Sequence, residues 1–266
     1  RVRVSVVVCF PAEDGILANL PGMEFRSGSS DLELAGPSVA EEIGTIGNLM
    51  RRHEPECLFI IDGALSRRSQ AGSDVSEAVI LCVSAETSTN PEILAEKSSF
   101  ALTLLQTPAL TPDIALLFAD AIKAHPDQRA IMLHGKGPDL SSSSLDTPSL
   151  VGYGKVIANT LRPDTSYLFL KGAMTDQVLQ ELLGETNFNN LTLVVEDGTR
   201  LFIKPNSLQK IYDRKVTLAV LNPLDVRLVC LNPTRSNGQC LDSQLTLKEL
   251  RKRISIPVVD LGPKTM

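Results

Sequence analysis

Three charged residues stand where an apolar run stops within two positions of a glycine. Asp62 closes Leu58-Phe59-Ile60-Ile61 and precedes Gly63-Ala64-Leu65-Ser66-Arg67. Lys171 closes Leu168-Phe169-Leu170 and precedes Gly172-Ala173-Met174-Thr175-Asp176. Glu196 closes Leu191-Thr192-Leu193-Val194-Val195 and precedes Asp197-Gly198-Thr199. In α/β proteins the ends of buried strands are where ligand groups are held. Asp62 has the setting of a Walker B aspartate, whose carboxylate holds a Mg²⁺ shared with nucleotide phosphates. That chemistry needs a G-x-x-x-x-G-K-[ST] loop, and the sequence has none. Gly135-Lys136-Gly137-Pro138 and Gly152-Tyr153-Gly154-Lys155 both depart from it. Asp62 therefore reads first as a capping or loop-ordering carboxylate, and as a metal ligand only if a P-loop lies upstream.

The other two groups also have a plain reading and a chemical one. Lys171 beside Gly172 suits an anion, with Thr175 and the N-terminus of the next helix assisting; a solvated lysine is the plainer reading. Glu196 would hold a cation or cap the next element, and Asp197-Gly198 turn chemistry favours the cap. Asn222-Pro223 and Asn232-Pro233 end successive strands identically, which is turn chemistry first and a ligand contact at Asn222 second. His53, His125 and His134 are scattered, without metal spacing and without a Ser-His-Asp or Cys-His set. His134, directly after a strand, is the one histidine to watch.

The strings at 58–67 and 168–176 share an apolar run, Gly-Ala and a following hydroxyl. Each is followed by a second apolar run ending in acid, Val79 to Glu86 and Leu191 to Asp197. The match argues for an internal repeat. The alternative is chance, because Leu, Ile, Val and Phe dominate all buried strands.

These residues need strands and helices to position them. The pattern predicts a strand over 2–8, a loop with a short hairpin over 11–30, and a strand over 32–35. Ser38 and Glu41 form a capping box that opens a helix with Val39, Ile43, Ile46 and Met50 on one face. Strands follow at 58–62 and 78–84, and Asn90-Pro91 opens a helix over 91–106. Pro112 opens another, to Ala124, before a strand at 130–133. Further strands are predicted at 167–170, 191–195, 216–221, 226–231 and 256–260. Helices are predicted at 149–161, 175–183, 206–213 and 246–253. Strands alternating with helices predict an α/β fold of mainly parallel sheet, with helices on both faces and two related halves. The expected division is 1–134, a Ser/Gly/Pro hinge at 135–149, and 150–266; a single domain is the alternative.

The 266 residues suffice for one or two domains with a large core. A net charge of -5 argues against a general binder of nucleic acid or acidic membrane. No apolar stretch reaches membrane-spanning length and no signal peptide is visible. Cys9, Cys57, Cys82, Cys230 and Cys240 form no C-x-x-C pair, and three lie in or beside apolar runs. Buried thiols in a reducing cytoplasm are the expectation. The chain opens on Arg1, which fits a piece of a longer protein or a start whose first residues are omitted.

Four strings together resemble one cytoplasmic bacterial family. They are Leu34-Ala35-Gly36-Pro37-Ser38, Ile60 through Arg67, Lys171 through Asp176, and Leu221-Asn222-Pro223. The family is the reactivase subunit that accompanies adenosylcobalamin-dependent lysine or ornithine aminomutases in amino-acid metabolism. The resemblance lies in the order and spacing of short motifs over most of the chain. It implies an accessory, chaperone-like protein that works with a second reactivase subunit on the aminomutase, exchanging damaged cobalamin. Family members carry a P-loop ahead of the matched region. This sequence departs from that, so no cofactor is assigned to this chain, and Mg-ATP is an expectation only for a longer form that carries the P-loop. Two other readings stand beside it. One is a small-molecule enzyme holding a phosphorylated or carboxylate ligand at Asp62, Lys171 and Glu196. The other is a non-catalytic α/β interaction domain. The site expected from all of these is the set of strand C-terminal ends: Asp62, Gly63, Ser66, Arg67, Lys171, Gly172, Thr175, Asp176, Glu196 and Asn222.

Overall fold

The computed structural model describes residues 5–8, 24–28, 31–35, 40–53, 60–61, 72, 76–185 and 190–262. The chain divides into two compact units, Arg1–Glu77 and Ala78–Met266. The fold is α/β, with mixed sheets.

The first unit contains β1 (Ser5–Val8), β2 (Glu24–Gly28), β3 (Asp31–Ala35), α1 (Ala40–His53) and β4 (Ile60–Ile61). The strands form one sheet in the order β2-β3-β1-β4, and every pairing in it is antiparallel. β2 and β3 are the hairpin expected before residue 35, with Gly28 opposite Asp31. On α1, Ile43 and Ile46 are buried, as their spacing predicts.

The second unit contains β5 (Val79–Ser84), α2 (Pro91–Leu105), α3 (Pro112–Ala124), β6 (Ala130–His134), β7 (Ser141–Leu145) and α4 (Gly154–Thr160). It continues with β8 (Thr165–Leu170), β9 (Met174–Thr175), α5 (Asp176–Glu185), β10 (Thr192–Val195), β11 (Leu201–Phe202) and α6 (Pro205–Asp213). β12 (Thr217–Val220), β13 (Val226–Asn232), α7 (Ser243–Arg253) and β14 (Val258–Asp260) complete it. The helix starts follow local chemistry. Asn90 accepts from the amides of Glu92 and Ile93 at 2.8 and 3.3 Å, and Pro91 occupies the first turn. Asp242 accepts from the amide of Leu245 at 2.9 Å to open α7.

A five-stranded sheet runs β12-β10-β8-β6-β7, parallel from β12 through β8 and antiparallel at β6 and β7. Its strands β6, β8, β10 and β12 are largely buried on both faces, as unbroken apolar runs require. Met132, Leu168, Leu170, Leu193 and Val195 face a core shared with Ile157 of α4, Leu179 of α5 and Ile211 of α6. The alternate residues Ile131, Leu133, Phe169 and Val194 face Phe118 and Ala121 of α3. Helices on both faces are thus present in this sheet. A second sheet, β14-β13-β5, is wholly parallel and packs α2 and α7 against Val83, Val229, Leu231 and Val258. Among the described residues no helix is long and apolar enough to cross a membrane.

Three expectations are corrected. The sheet is mainly parallel only in the second unit; the first is antiparallel throughout its described strands. The halves are not repeats. Among the described strands, Ile60–Ile61 sits at the edge of its sheet and pairs antiparallel with β1, whereas β8 is central and parallel to β10. The shared lettering reflects the composition of buried strands, not common topology. Finally, 135–149 is not a hinge between halves. Ser141–Leu145 is β7, paired residue for residue with β6, which itself pairs with β8 on the far side of the expected boundary. A serine run is tolerated there because β7 is an edge strand, half exposed. The breakers form its turn, with Gly135 and Gly137 at φ +95° and +62°.

Candidate functional site

β8, β10 and β12 are parallel, so their C-terminal ends share one edge of the five-stranded sheet. β6 runs the other way and begins at that edge, with Ala130 opposite Leu170. The edge therefore collects Arg129, Lys171, Gly172, Glu196 and Asn222. It also holds the two loops that follow β8 and β10. These loops are zipped together. Met174 and Thr175 of β9 pair in parallel with Leu201 and Phe202 of β11. One residue on, Asp176 accepts from the backbone amide of Lys204 at 2.9 Å.

Most of the candidate groups at this edge are engaged by their own chain. The Lys171 ammonium donates to the carbonyl of Pro126 at 2.5 Å, and its amide donates to Arg129 at 2.8 Å. The Thr175 hydroxyl accepts from the amide of Val178 at 3.3 Å, capping the N-terminus of α5. Burial alone would raise the pKa of Asp176. The Ser207 hydroxyl, the Lys204 amide and the charges of Lys204 and Lys210 outweigh it and hold the carboxyl below its ordinary range. Glu196 pairs with Arg200 at 2.7 Å, and its carbonyl accepts from the amide of Asn222 at 2.9 Å. Asp197, 1% exposed, accepts from the amide of Thr199 at 2.7 Å and from its hydroxyl. The turn reading of Asp197-Gly198 is the one the geometry bears out. The anion reading of Lys171 gains nothing: its ammonium is bound to a carbonyl, and the first turn of α5 carries its own carboxylate. Asn222 is exposed. Asp62, Gly63, Ser66 and Arg67 lie outside the described residues, as does any metal role for Asp62.

No family model, curated protein or solved structure matches this chain.

Gly172 is set by conformation rather than space. Its φ is +127°, where side-chain-bearing residues are rare, yet an added Cβ would lie 3.7 Å from Leu150 and 4.0 Å from the Arg129 guanidinium. Gly172→Ala is expected to destabilise the second unit by about 1–3 kcal/mol through backbone strain. Chemical denaturation checks this, and an unchanged midpoint would show that the loop adapts.

Two polar clusters escaped the sequence reading. At the carboxyl edge of the three-stranded sheet, Glu86 accepts from the amide and hydroxyl of Ser236 at 2.6 and 2.8 Å, with Arg235 at 3.5 Å. The hydrogen bond donated by the Ser236 backbone amide is the main cause of a lowered carboxyl pKa there. It pins the loop after β13 to the loop after β5. The other cluster lies at the opposite edge of the five-stranded sheet. His134, 1% exposed, places Nδ1 3.0 Å from the Thr165 hydroxyl and Nε2 2.7 Å from the Ser143 hydroxyl. Sequence offered one signal for it, a histidine closing a strand just ahead of a serine run. The pairing needed the β6–β7 and β6–β8 registers.

Proposed function

We propose that this chain is an accessory, reactivating factor for a cobalamin-dependent aminomutase, acting with a second subunit and linked to Mg-ATP in a longer form. The order and spacing of its short motifs support the reading. The observation that carries it is the zipped edge of the five-stranded sheet. There the charged groups of the β8 and β10 loops are bonded to their own chain, while Phe202 stays 43% exposed on β11. Such an edge is a stiff, mixed-charge rim with an aromatic on it, which suits a protein partner. The competing reading, an enzyme with Asp62, Lys171 and Glu196 around a ligand, needs Lys171 and Glu196 to leave their present partners.

The test has two arms. Tagged chain is expected to capture the aminomutase from native cells. With the second subunit, Mg-ATP and fresh adenosylcobalamin it is expected to restore turnover to cobalamin-inactivated enzyme. The double variant Lys171→Glu, Phe202→Ala is expected to lose capture. Its folding should change little, since the ammonium contributes one exposed hydrogen bond, about 1 kcal/mol. Capture without aminomutase, or a double variant that binds normally, sinks the proposal. Alone, the chain is expected to give no one-site heat on titration with Mg-ATP, because it lacks the phosphate cradle and its lysine.

A further inference from the structure

Among the described residues, α2 and α7 pack on one face of the three-stranded sheet β14-β13-β5. The residues that meet those helices are Val79, Leu81 and Val83 of β5, Val229 and Leu231 of β13, and Val258 of β14. Side chains alternate along a strand, so Ile80, Cys82, Leu228, Cys230 and Val259 fall on the other face. There Ile80 is 56% exposed and Cys82 is exposed, while Cys230 is only 5% exposed. Cys82 and Cys230 are register partners in the parallel β5–β13 pairing. As register partners on one face, the two side chains are near enough for Cys82 to raise the pKa of Cys230.

We propose that Cys82 and Cys230 are a dithiol–disulfide pair that closes a covalent link between β5 and β13 by exchange with a low-molecular-weight disulfide. The geometry allows it. Neighbouring strands lie about 4.8 Å apart, inside the span of Cα separations that a disulfide bridges, and both thiols project from the same face. Exposure assigns the roles. The Cys82 thiolate attacks one sulfur of the incoming disulfide, forms a mixed disulfide and releases the first thiolate. Cys230 then loses its proton to water and attacks the Cys82 sulfur, releasing the second thiolate. The protein pair gives up two electrons and two protons, and the small disulfide takes up both electrons as two thiolates. Burial, and then the neighbouring Cys82, raise the Cys230 thiol pKa, which fits the resolving rather than the attacking position. The link fastens a strand that is otherwise held in its sheet by one partner: among the described strands β5 pairs only with β13.

The experiment incubates purified chain with oxidised glutathione at mildly alkaline pH and maps the peptides without reduction. A linked peptide joining Cys82 to Cys230 is expected, with a raised melting temperature that dithiothreitol reverses. Cys230→Ser should trap a stable glutathione adduct on Cys82, Cys82→Ser should leave Cys230 unmodified, and Cys240→Ser should leave the linked peptide intact. The proposal is overturned if the wild-type chain keeps a glutathione adduct on Cys82 beside an intact Cys230 thiol. It is overturned equally if neither thiol reacts, or if Cys82 links to Cys240. Peptide mapping of the wild-type chain decides among these even if a serine variant fails to fold.

Discussion

Gly198→Ala is expected to destabilise the second unit by about 3 kcal/mol, the upper end for forced overpacking of a filled core. Gly198 is buried in the turn after β10. A Cβ there would lie 2.4 Å from the Leu104 carbonyl oxygen, 2.6 Å from the Leu105 Cα and 2.7 Å from the Leu105 carbonyl oxygen. These are backbone atoms, so no side chain can swing away. Neither partner moves easily. Leu104 belongs to the core under the five-stranded sheet, and Leu105 to the core between α2, α7 and the three-stranded sheet. The end of α2 is further tied by the Thr107 hydroxyl, which donates to the Leu104 carbonyl at 2.8 Å. On the other side, the buried Asp197 carboxylate fixes the turn through the Thr199 amide. Gly184→Ala in α5 is the control, since no atom lies within 4 Å of its added Cβ. An alanine in a helix is favoured over glycine by up to about 1 kcal/mol, so that variant should unfold at the same midpoint or later. Urea denaturation of both variants is the measurement. Coincident midpoints would mean that α2 and the turn separate at little cost.

The contrast between these two glycines marks what a sequence exposes. Gly184 sits in a helix that Val178, Leu179, Leu182 and Leu183 announce by spacing, and all four are buried as that spacing requires. Asn90-Pro91 and Pro112 set helix starts through chemistry confined to a few residues, so those boundaries were legible. The nearness of Gly198 to α2 was not, because it joins residues ninety-odd positions apart. The same limit explains the false repeat. Ile60–Ile61 and Leu168 through Leu170 read alike, but a strand's neighbours and their direction are written nowhere in the strand itself. It also explains the serine run at 141–144, whose composition signals a linker while its alternation across from Ile131 and Leu133 makes an edge strand. At the candidate site, the positions of Lys171, Glu196 and Asn222 at one edge were legible from the parallel-sheet rule. Their hydrogen-bond partners Pro126 and Arg200, and the β9–β11 pairing, were not, since each depends on loop conformation.

His134 should make the second unit less stable as the pH falls from about 7 to 5, in a way that His134→Gln abolishes. The imidazole is enclosed where β6 ends between β7 and β8, with the Thr165 and Ser143 hydroxyls on its two nitrogens. The Thr165 oxygen already accepts from the Arg162 amide at 2.8 Å, so its proton is available for Nδ1. The neutral ring then donates from Nε2 to Ser143, and every group is satisfied. Protonation makes Nδ1 a donor and forces Thr165 to accept twice. Burial is the main cause of the lowered His134 pKa; the Arg162 charge lowers it further, and Asp164 opposes. The folded ring thus binds its proton less readily than the unfolded one, whose pKa is about 6.5. Stability from the neutral ring is present above that value and is lost as pH falls through the folded pKa. The carboxylates with lowered values, Asp176, Glu86 and Glu249, act in the same sense but at more acid pH, below the ordinary carboxylate range. They leave the upper window to histidine. At neutral pH, His134→Ala is expected to lower stability on the order of 3 kcal/mol, from the cavity and the two hydroxyls left without their partner. His134→Gln, with a donor and an acceptor of its own, should lose less at neutral pH and show a flat profile from pH 7 to 5. Urea midpoints across that range for the three proteins are the measurement. A wild-type profile as flat as the glutamine variant's would show that the ring titrates alike in the folded and unfolded chain.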